Sequence, residues 1–421
     1  MVDGDIYSAI DSCLTQTIAG RGGFNELAQT SPVILAPELY DRRTTRLAVI
    51  QQFFQTTLNI FRQAVAGEVS PFLLRLLFND APFTCRERFH QQLPEAAWSI
   101  PRFFRTDESK NGEILELQCP GSGWGDLDLL CGVYRRVMTS PALSKYNAAM
   151  SVAEEIVSLC GTASPSVLHL LDNSSNPTSM RFLLAATQPP LRYWGYDRSV
   201  RNGECEFVRS HSFFGLVAEN LFRHRLQMAS EGKTRFDLPP ILVFDQKAPL
   251  CLPFLDETRG LYSEEIRQSL AYSYPVTSDG FRDVDGAWVS IEEFLARPPS
   301  GRCYFLKYAG CDVGLNWGSR AVYRLTERDA PERLRRAADD SDRDAFWLIQ
   351  PEIAEKDMVT YVDRDGRVRH EKLTVKYSCF YGPTRLIGVR TMHRRHFKVH
   401  GQADTVIGIA VPGFGNIEVQ P

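Results

Sequence analysis

An α+β fold is what three patterns in this 421-residue sequence predict. Apolar residues recur at helical spacing near the N-terminus. Two alternating runs flank Asn111-Gly112. From Arg302 onward, short apolar runs separated by turns dominate. A period of about 3.6 residues lays a stripe along a helix, and a period of two puts alternate side chains on one face of a strand.

Leu47, Ile50, Phe54, Leu58, Phe61 and Val65 form the first stripe, and Gly67 follows as a stop. Ser70-Pro71 reads as N-cap and first position of a second helix. Both stripes are core packing, so the region up to residue 100 is expected to be mainly helical. Residues 129–160 again look helical. Ser166–Leu171 reads as a buried strand leading to a helix from about Thr178 to Ala186, and Leu191–Gly195 and Pro239–Phe244 read as further strands. That alternation predicts a small α/β unit, where ligands bind beyond strand C-termini. Glu264–Leu295 carries helical patterns with a capping box at Ser290–Glu293, and Pro331–Asp344 reads as a charged helix.

Composition narrows the function. A net charge of −3, with 43% hydrophobic and 24% charged residues, gives no bulk attraction for nucleic acid or membrane. The ten cysteines are scattered singly from Cys13 to Cys379, without zinc-site spacing, which fits a reducing compartment. No signal-peptide pattern opens the chain and no apolar run is long enough to span a bilayer, so a cytoplasmic protein is expected.

The densest chemistry lies at residues 102–119. With Asn111-Gly112 as a two-residue turn, Lys110 opposes Glu113, Asp107 opposes Glu116 and Arg105 opposes Gln118. Those last four side chains share one face, while Phe104, Leu115, Leu117 and Cys119 share the other. Carboxylates opposed across a ladder repel, so a cation is expected between them. Carboxylate and amide oxygens suit Mg²⁺ shared with phosphates, and Arg105 suits a transferring phosphoryl group. The competing reading is a hairpin whose polar face is simply wet.

Two further constellations follow. Lys307 ends an apolar strand before a loop with Gly310, Gly314, Gly318 and Ser319, which can bring backbone N–H groups to phosphates. Another strand runs through Ile349 and Gln350 to Pro351, which cannot extend a ladder, and Glu352. Backbone exposed at such a break can bond an adenine edge.

In combination, these motifs resemble the ATP-grasp superfamily. Their order, with the carboxylates about 200 residues before the Lys strand, resembles the circularly permuted arrangement of glutathionylspermidine synthases and related amide ligases. The resemblance spans roughly residues 100–421, of which only the three motifs are specific. It implies that Arg105 stabilises the transferred phosphoryl group. It implies that Asp107, Glu116 and Gln118 hold two Mg²⁺, with Gln118 standing where Asn is usual. It implies that Lys307, Gly314, Gly318 and Ser319 bind ATP phosphates, and that Ile349, Gln350 and Glu352 border adenine. A second phosphate Lys of the family is not identifiable; Lys247 is a guess.

Weaker candidates concern the substrate. Ser122 and Trp124 lie in the loop that borders the acceptor site in the resembling enzymes. Asn173 and Ser175, at a strand-to-helix turn, can offer N–H groups to a carboxylate. Arg390 opens a basic segment suited to a rim for ATP phosphates or an anionic substrate. His393, His396 and His400 in that segment are not expected to bind zinc, because on a strand 393 and 396 face opposite ways. The implied organisation is a helical region at 1–100, a metal-binding hairpin and helix at 101–160, an α/β substrate subdomain at 161–245 and a nucleotide-binding region at 246–421.

The expected activity is an ATP-dependent carboxylate–amine ligase making an amide or peptide bond through an acylphosphate, in specialised-metabolite or small-peptide biosynthesis. Its partners would be a small-molecule carboxylate and amine, with a homodimer as the assembly considered. The alternatives are a small-molecule kinase on the same scaffold and a catalytically silent nucleotide-binding protein.

Overall fold

The first apolar stripe is the buried face of the helix Pro37–Ala66. Gly67 closes that helix in the left-handed conformation, at φ 75°. All six stripe residues are buried. The next helix, Pro71–Leu77, starts where expected, with Ser70 Oγ accepting the Leu73 amide at 3.2 Å. The computed structural model describes residues 26–81, 87–119, 122–139, 143, 147–161, 166–170, 192–194, 205–210, 212–217, 222–316, 320–413 and 418–419.

Among the described residues the architecture is mixed α+β around a large mixed sheet of eight strands. Its hub is Val368–Tyr381, which pairs antiparallel with Lys356–Val362, Leu386–Arg394 and Phe104–Glu108. Ile114–Gln118 completes the hairpin at one edge. Val406–Pro412 lies beyond Leu386–Arg394, and receives Leu27–Ala28 and Val33–Leu35 in parallel. These last two strands come from the stretch expected to be helical. At two and three residues they are too short to show a period.

A second sheet has four antiparallel strands in the order Tyr274–Val276, Trp347–Pro351, Tyr304–Tyr308, Val322–Arg324. A third has four parallel strands in the order Arg192–Trp194, Ser166–Leu170, Glu206–Ser210, Thr234–Phe236. Two of these strands, Ser166–Leu170 and Arg192–Trp194, fall where strands are expected, and the other two are not anticipated. The strand expected at Pro239–Phe244 is a 3-10 turn at Leu242–Asp245. Ile241, Leu242 and Val243 are buried all round, and a short apolar run of that kind does not distinguish strand from turn. The helix expected at Thr178–Ala186 lies outside the described residues. Glu264–Leu295 divides into helices Glu264–Ser269 and Ile291–Ala296 with three short strands between them. The Ser290–Glu293 capping box forms as expected. No helix among the described residues is long and apolar enough to cross a membrane.

One ionic cluster ties the long helix to the hairpin. Arg43 Nε and Arg46 Nη1 each lie 3.1 Å from Glu108 Oε2, and Thr106 Oγ1 donates to Oε1 at 2.7 Å. Arg43 and Glu108 have no exposed side-chain surface. Glu108→Ala would leave two guanidinium groups buried without their carboxylate. It should lower the unfolding free energy by about 3–5 kcal/mol in a urea titration. Glu95→Ala, which breaks an exposed pair with Arg62, should cost no more than about 1 kcal/mol.

Candidate functional site

At the charged positions the hairpin pairs as the alternation predicts: Arg105 opposes Gln118, and Asp107 opposes Glu116. The turn does not. Ser109 carbonyl accepts the Gly112 amide at 3.1 Å, and Ser109 N donates to Glu113 O at 2.9 Å. The loop is therefore one residue longer than a two-residue Asn111-Gly112 turn, with Gly112 at φ 92°. Lys110 does not face Glu113; it pairs with Asp357. A shift between Asp107 and Glu108 leaves Leu115 unpaired and restores the expected register beyond it.

That bulge has a use. Leu115 carbonyl accepts from Lys307 Nζ and from Gln350 Nε2, each at 3.3 Å. Lys307 and Gln350 belong to the second sheet, so the bulge is where the two sheets are joined.

Asp107 is 1% exposed and surrounded by donors. Its Oδ1 lies 3.0 Å from Arg105 Nε and accepts from Ser378 Oγ at 2.8 Å. Its Oδ2 accepts from Arg105 Nη2 at 3.1 Å and from Lys376 Nζ at 2.7 Å. Burial works to raise this carboxyl. Arg105 and Lys376, with the Ser378 hydroxyl, overcome it and hold the group well below the usual carboxylate range. Glu116 behaves alike. Burial and Asp107 push it up, but Lys247, Lys307 and Lys376 together hold it down. The opposed carboxylates do have cations against them: Arg105 and Lys376 at Asp107, and lysines at Glu116. Lys247 Nζ is 3.4 Å from Glu116 Oε1.

These groups border a cavity of about 600 Å³. Arg105, Glu116, Gln118, Lys247, Lys376 and Arg390 line it. Asn316 closes over one side, accepting from Lys247 Nζ at 2.6 Å through its side chain and at 3.0 Å through its carbonyl. At the other side Arg105 Nη1 donates to Ser122 O at 2.6 Å, and Arg390 Nη1 donates to Asp126 Oδ2 at 2.7 Å. The Arg390 guanidinium lies against Gly123 (φ 92°), where a Cβ would come within 2.3 Å of it.

Several expected residues lie elsewhere. Lys307 is not among the residues lining the cavity; it sits behind Glu116, bonded to Gln350. Gln350 is 2% exposed and donates to Ser273 Oγ, so it offers nothing to an adenine edge. Ile349 is in the core, on a strand paired along both edges. Glu352 is held by Arg324 at 2.6 Å, and its amide donates to Cys303 O. The Pro351 break is absorbed at the sheet end, where Pro351 faces Tyr304. Trp124 packs in the core against Phe103 and Phe380, away from the substrate role expected of it. Gly314 is exposed, with its amide bonded to Asp312 Oδ1. Gly318, Ser319, Asn173 and Ser175 lie outside the described residues. His400 lines the cavity, whereas His393 is fully buried on the opposite side of its strand from Arg390 and Met392.

Sequence reading missed Lys376, Ser378, Asp126 and Asn316. For the first two a signal exists. Thr374, Lys376 and Ser378 alternate with Val375, Tyr377 and Cys379, which marks one polar face of a buried strand.

The donor set can be tested against Mg²⁺. A carboxylate has about four acceptor directions; on Asp107 three take hydrogen bonds from Arg105, Lys376 and Ser378, and Arg105 Nε adds an ion pair at 3.0 Å, so both oxygens are engaged by the protein. Among the described residues no group of three His, Cys, Asp or Glu side chains is placed to hold a metal ion. Two Mg²⁺ on Asp107, Glu116 and Gln118 do not fit this arrangement, which suits an anion.

No family model matches the sequence, and no curated protein matches it. Among solved structures, the chain is similar to a glutathione synthetase-like effector from Globodera pallida in its apo form. The TM-score is 0.54 and the identity 11%, over 97% of each chain. At that identity the likeness is one of fold alone. The fold is similar to that of a glutathione synthetase-like protein, and the likeness does not single out the glutathionylspermidine synthase type.

Lys307 yields a pH test. Burial pushes its ammonium down to about 8 from the ordinary 10.5; Lys247 and Lys376 add to the fall, and Glu116 and Asp107 oppose it. The folded chain therefore sheds this proton before the unfolded chain does. Its burial penalty weighs on stability below about pH 8 and fades as pH rises toward 10.5. Relative to Lys307→Met, the wild type should gain on the order of 1–3 kcal/mol between about pH 7 and pH 10 in urea unfolding. A difference that does not change with pH would remove Lys307 as the titrating group.

Proposed function

We propose that this chain is an ATP-dependent carboxylate–amine ligase of ATP-grasp type, working in the cavity beneath the hairpin. The observation that carries the reading is the convergence of Arg105, Lys247, Lys376 and Arg390 on one cavity between the eight-stranded sheet and the four-stranded antiparallel sheet. Triphosphate and carboxylate are the anions such a set suits. The circularly permuted order belongs to this reading, as do the hairpin region at 101–160, the substrate subdomain at 161–245 and the nucleotide region at 246–421.

The reaction follows from the residues. A substrate carboxylate oxygen attacks the γ-phosphorus of ATP; the bond to the β–γ bridging oxygen breaks, and ADP leaves. The acylphosphate then receives an amine at its carbonyl carbon, loses a proton and releases phosphate as the amide forms. Arg105, fixed by Asp107 and Ser122, faces the charge on the moving phosphoryl group. Lys247 and Lys376 hold the leaving diphosphate end. Ser122 and Arg390, beside Arg105, give the carboxylate substrate its place. No nucleophilic side chain is needed, because positioning and electrostatics do the work.

A second reading has its own observation. With Asp107 fully bonded and Gln118 in place of the usual Asn, the chain would bind nucleotide and turn nothing over. One screen separates the readings: ATP with a matrix of amino acids and amines, followed for phosphate release. Amine-dependent release of ADP, phosphate and amide is the expected result. Arg105→Met should lower the rate by about 10²–10³. ADP with a stable phosphoester would make the chain a kinase, and ATP binding without turnover in any combination would establish the silent reading.

A further inference from the structure

We infer that the Lys376 ammonium occupies the role of a divalent cation in this site, so that nucleoside triphosphate binds here without one. The inference rests on the nucleotide-binding part of the proposed function. Three observations carry it. Lys376 Nζ lies 2.7 Å from Asp107 Oδ2 and lines the cavity, while its side chain is only 16% exposed. It is borne on Val368–Tyr381, the strand at the centre of the eight-stranded sheet, two positions from Ser378, which is Asp107's register partner and donates to Oδ1. The neighbouring carboxylate, Glu116, has its own ammonium in Lys247 at 3.4 Å. Each oxyanion that a metal would need is thus matched by a fixed protein cation.

A metal entering between Asp107 and Glu116 would have to displace Lys376 and then sit beside it, as like charges in a mostly buried site. A triphosphate faces no such conflict. It meets Lys376, Lys247 and Arg105 at the cavity wall, where each is held by a carboxylate partner and Lys247 would exchange a bond to Asn316 for one to phosphate. Lys376 here is a specificity-determining residue: it selects free nucleotide over its metal complex.

The test is calorimetric titration of the full chain with ATP, and with a non-hydrolysable analogue, in EDTA and in MgCl₂. For the wild type the two dissociation constants should agree within about threefold. Lys376→Met should lose about tenfold or more in EDTA and recover it in MgCl₂, because Asp107 is then open to metal. Lys376→Arg should keep the metal-independent affinity. MgCl₂ alone should raise the melting temperature of Lys376→Met and leave the wild type unchanged. Wild-type binding that tightens by about tenfold or more with Mg²⁺ overturns the inference and leaves the ligase reading standing. Absence of ATP binding in both buffers overturns the ligase reading itself. Should Lys376→Met fail to fold, the two wild-type titrations decide alone.

Discussion

Asp107 cannot be buried without its cations, and much of the molecule is arranged to bring them. A carboxylate removed from water costs several kcal/mol unless its oxygens are bonded. The three partners of Asp107 come from two strands: Arg105 two residues away on its own strand, and Lys376 and Ser378 on the adjoining one. That strand is therefore next to the hairpin for a chemical reason as well as a topological one. Arg105 in turn reaches Ser122, which places the start of the helix Trp124–Val137 beside the same cavity.

Successive residues on a strand face opposite ways, and here both faces are ionic. Asp107 looks toward Lys376 and Ser378, behind the cavity wall, while Glu108 looks back at Arg43 and Arg46 of the long helix. A slip of the register by one residue would present each carboxylate to the wrong set of cations. The bulge at Leu115 belongs to the same constraint. It absorbs the extra turn residue, keeps Asp107 opposite Glu116, and frees a carbonyl for Lys307 and Gln350. One irregular residue thus sets the register and joins the sheets.

The legible parts of this chain were those governed by local periodicity. The stripe from Leu47 to Val65, the Ser70 cap and the Asp107–Glu116 pairing all follow from spacing over fewer than twenty residues. What was not legible depended on distant strands. Lys376 lies 269 positions from Asp107, and alternation around Thr374 and Ser378 reveals a polar face without naming its partner. Without that partner, opposed carboxylates read as a metal site, because a missing positive charge has no stated source. Gln350 shows the same limit. Next to Pro351 it reads as a strand exit, yet it is flanked by strands on both sides and closes the bond to Lys307. Pro239–Phe244 failed for another reason: an apolar run buried all round carries no period to read.

The charge balance around the hairpin explains why this site is poised for an anion. Arg105, Lys247, Lys307 and Lys376 surround Asp107 and Glu116, so four cationic side chains meet two carboxylates. Arg390 stands outside this count because Asp126 matches it. The imbalance is visible in Lys307, whose ammonium is pushed down to about 8 by burial and by the two neighbouring lysines, with Glu116 and Asp107 only partly offsetting them. An incoming phosphate adds the negative charge this cluster lacks. It favours the charged form of Lys307 without competing for its hydrogen bonds to Gln350 and Leu115. Glu26, Asp126 and Asp245 also line the cavity, beside Arg320 and Arg390, so the excess of positive charge is local to the hairpin, and that local excess is what this wall offers to a ligand.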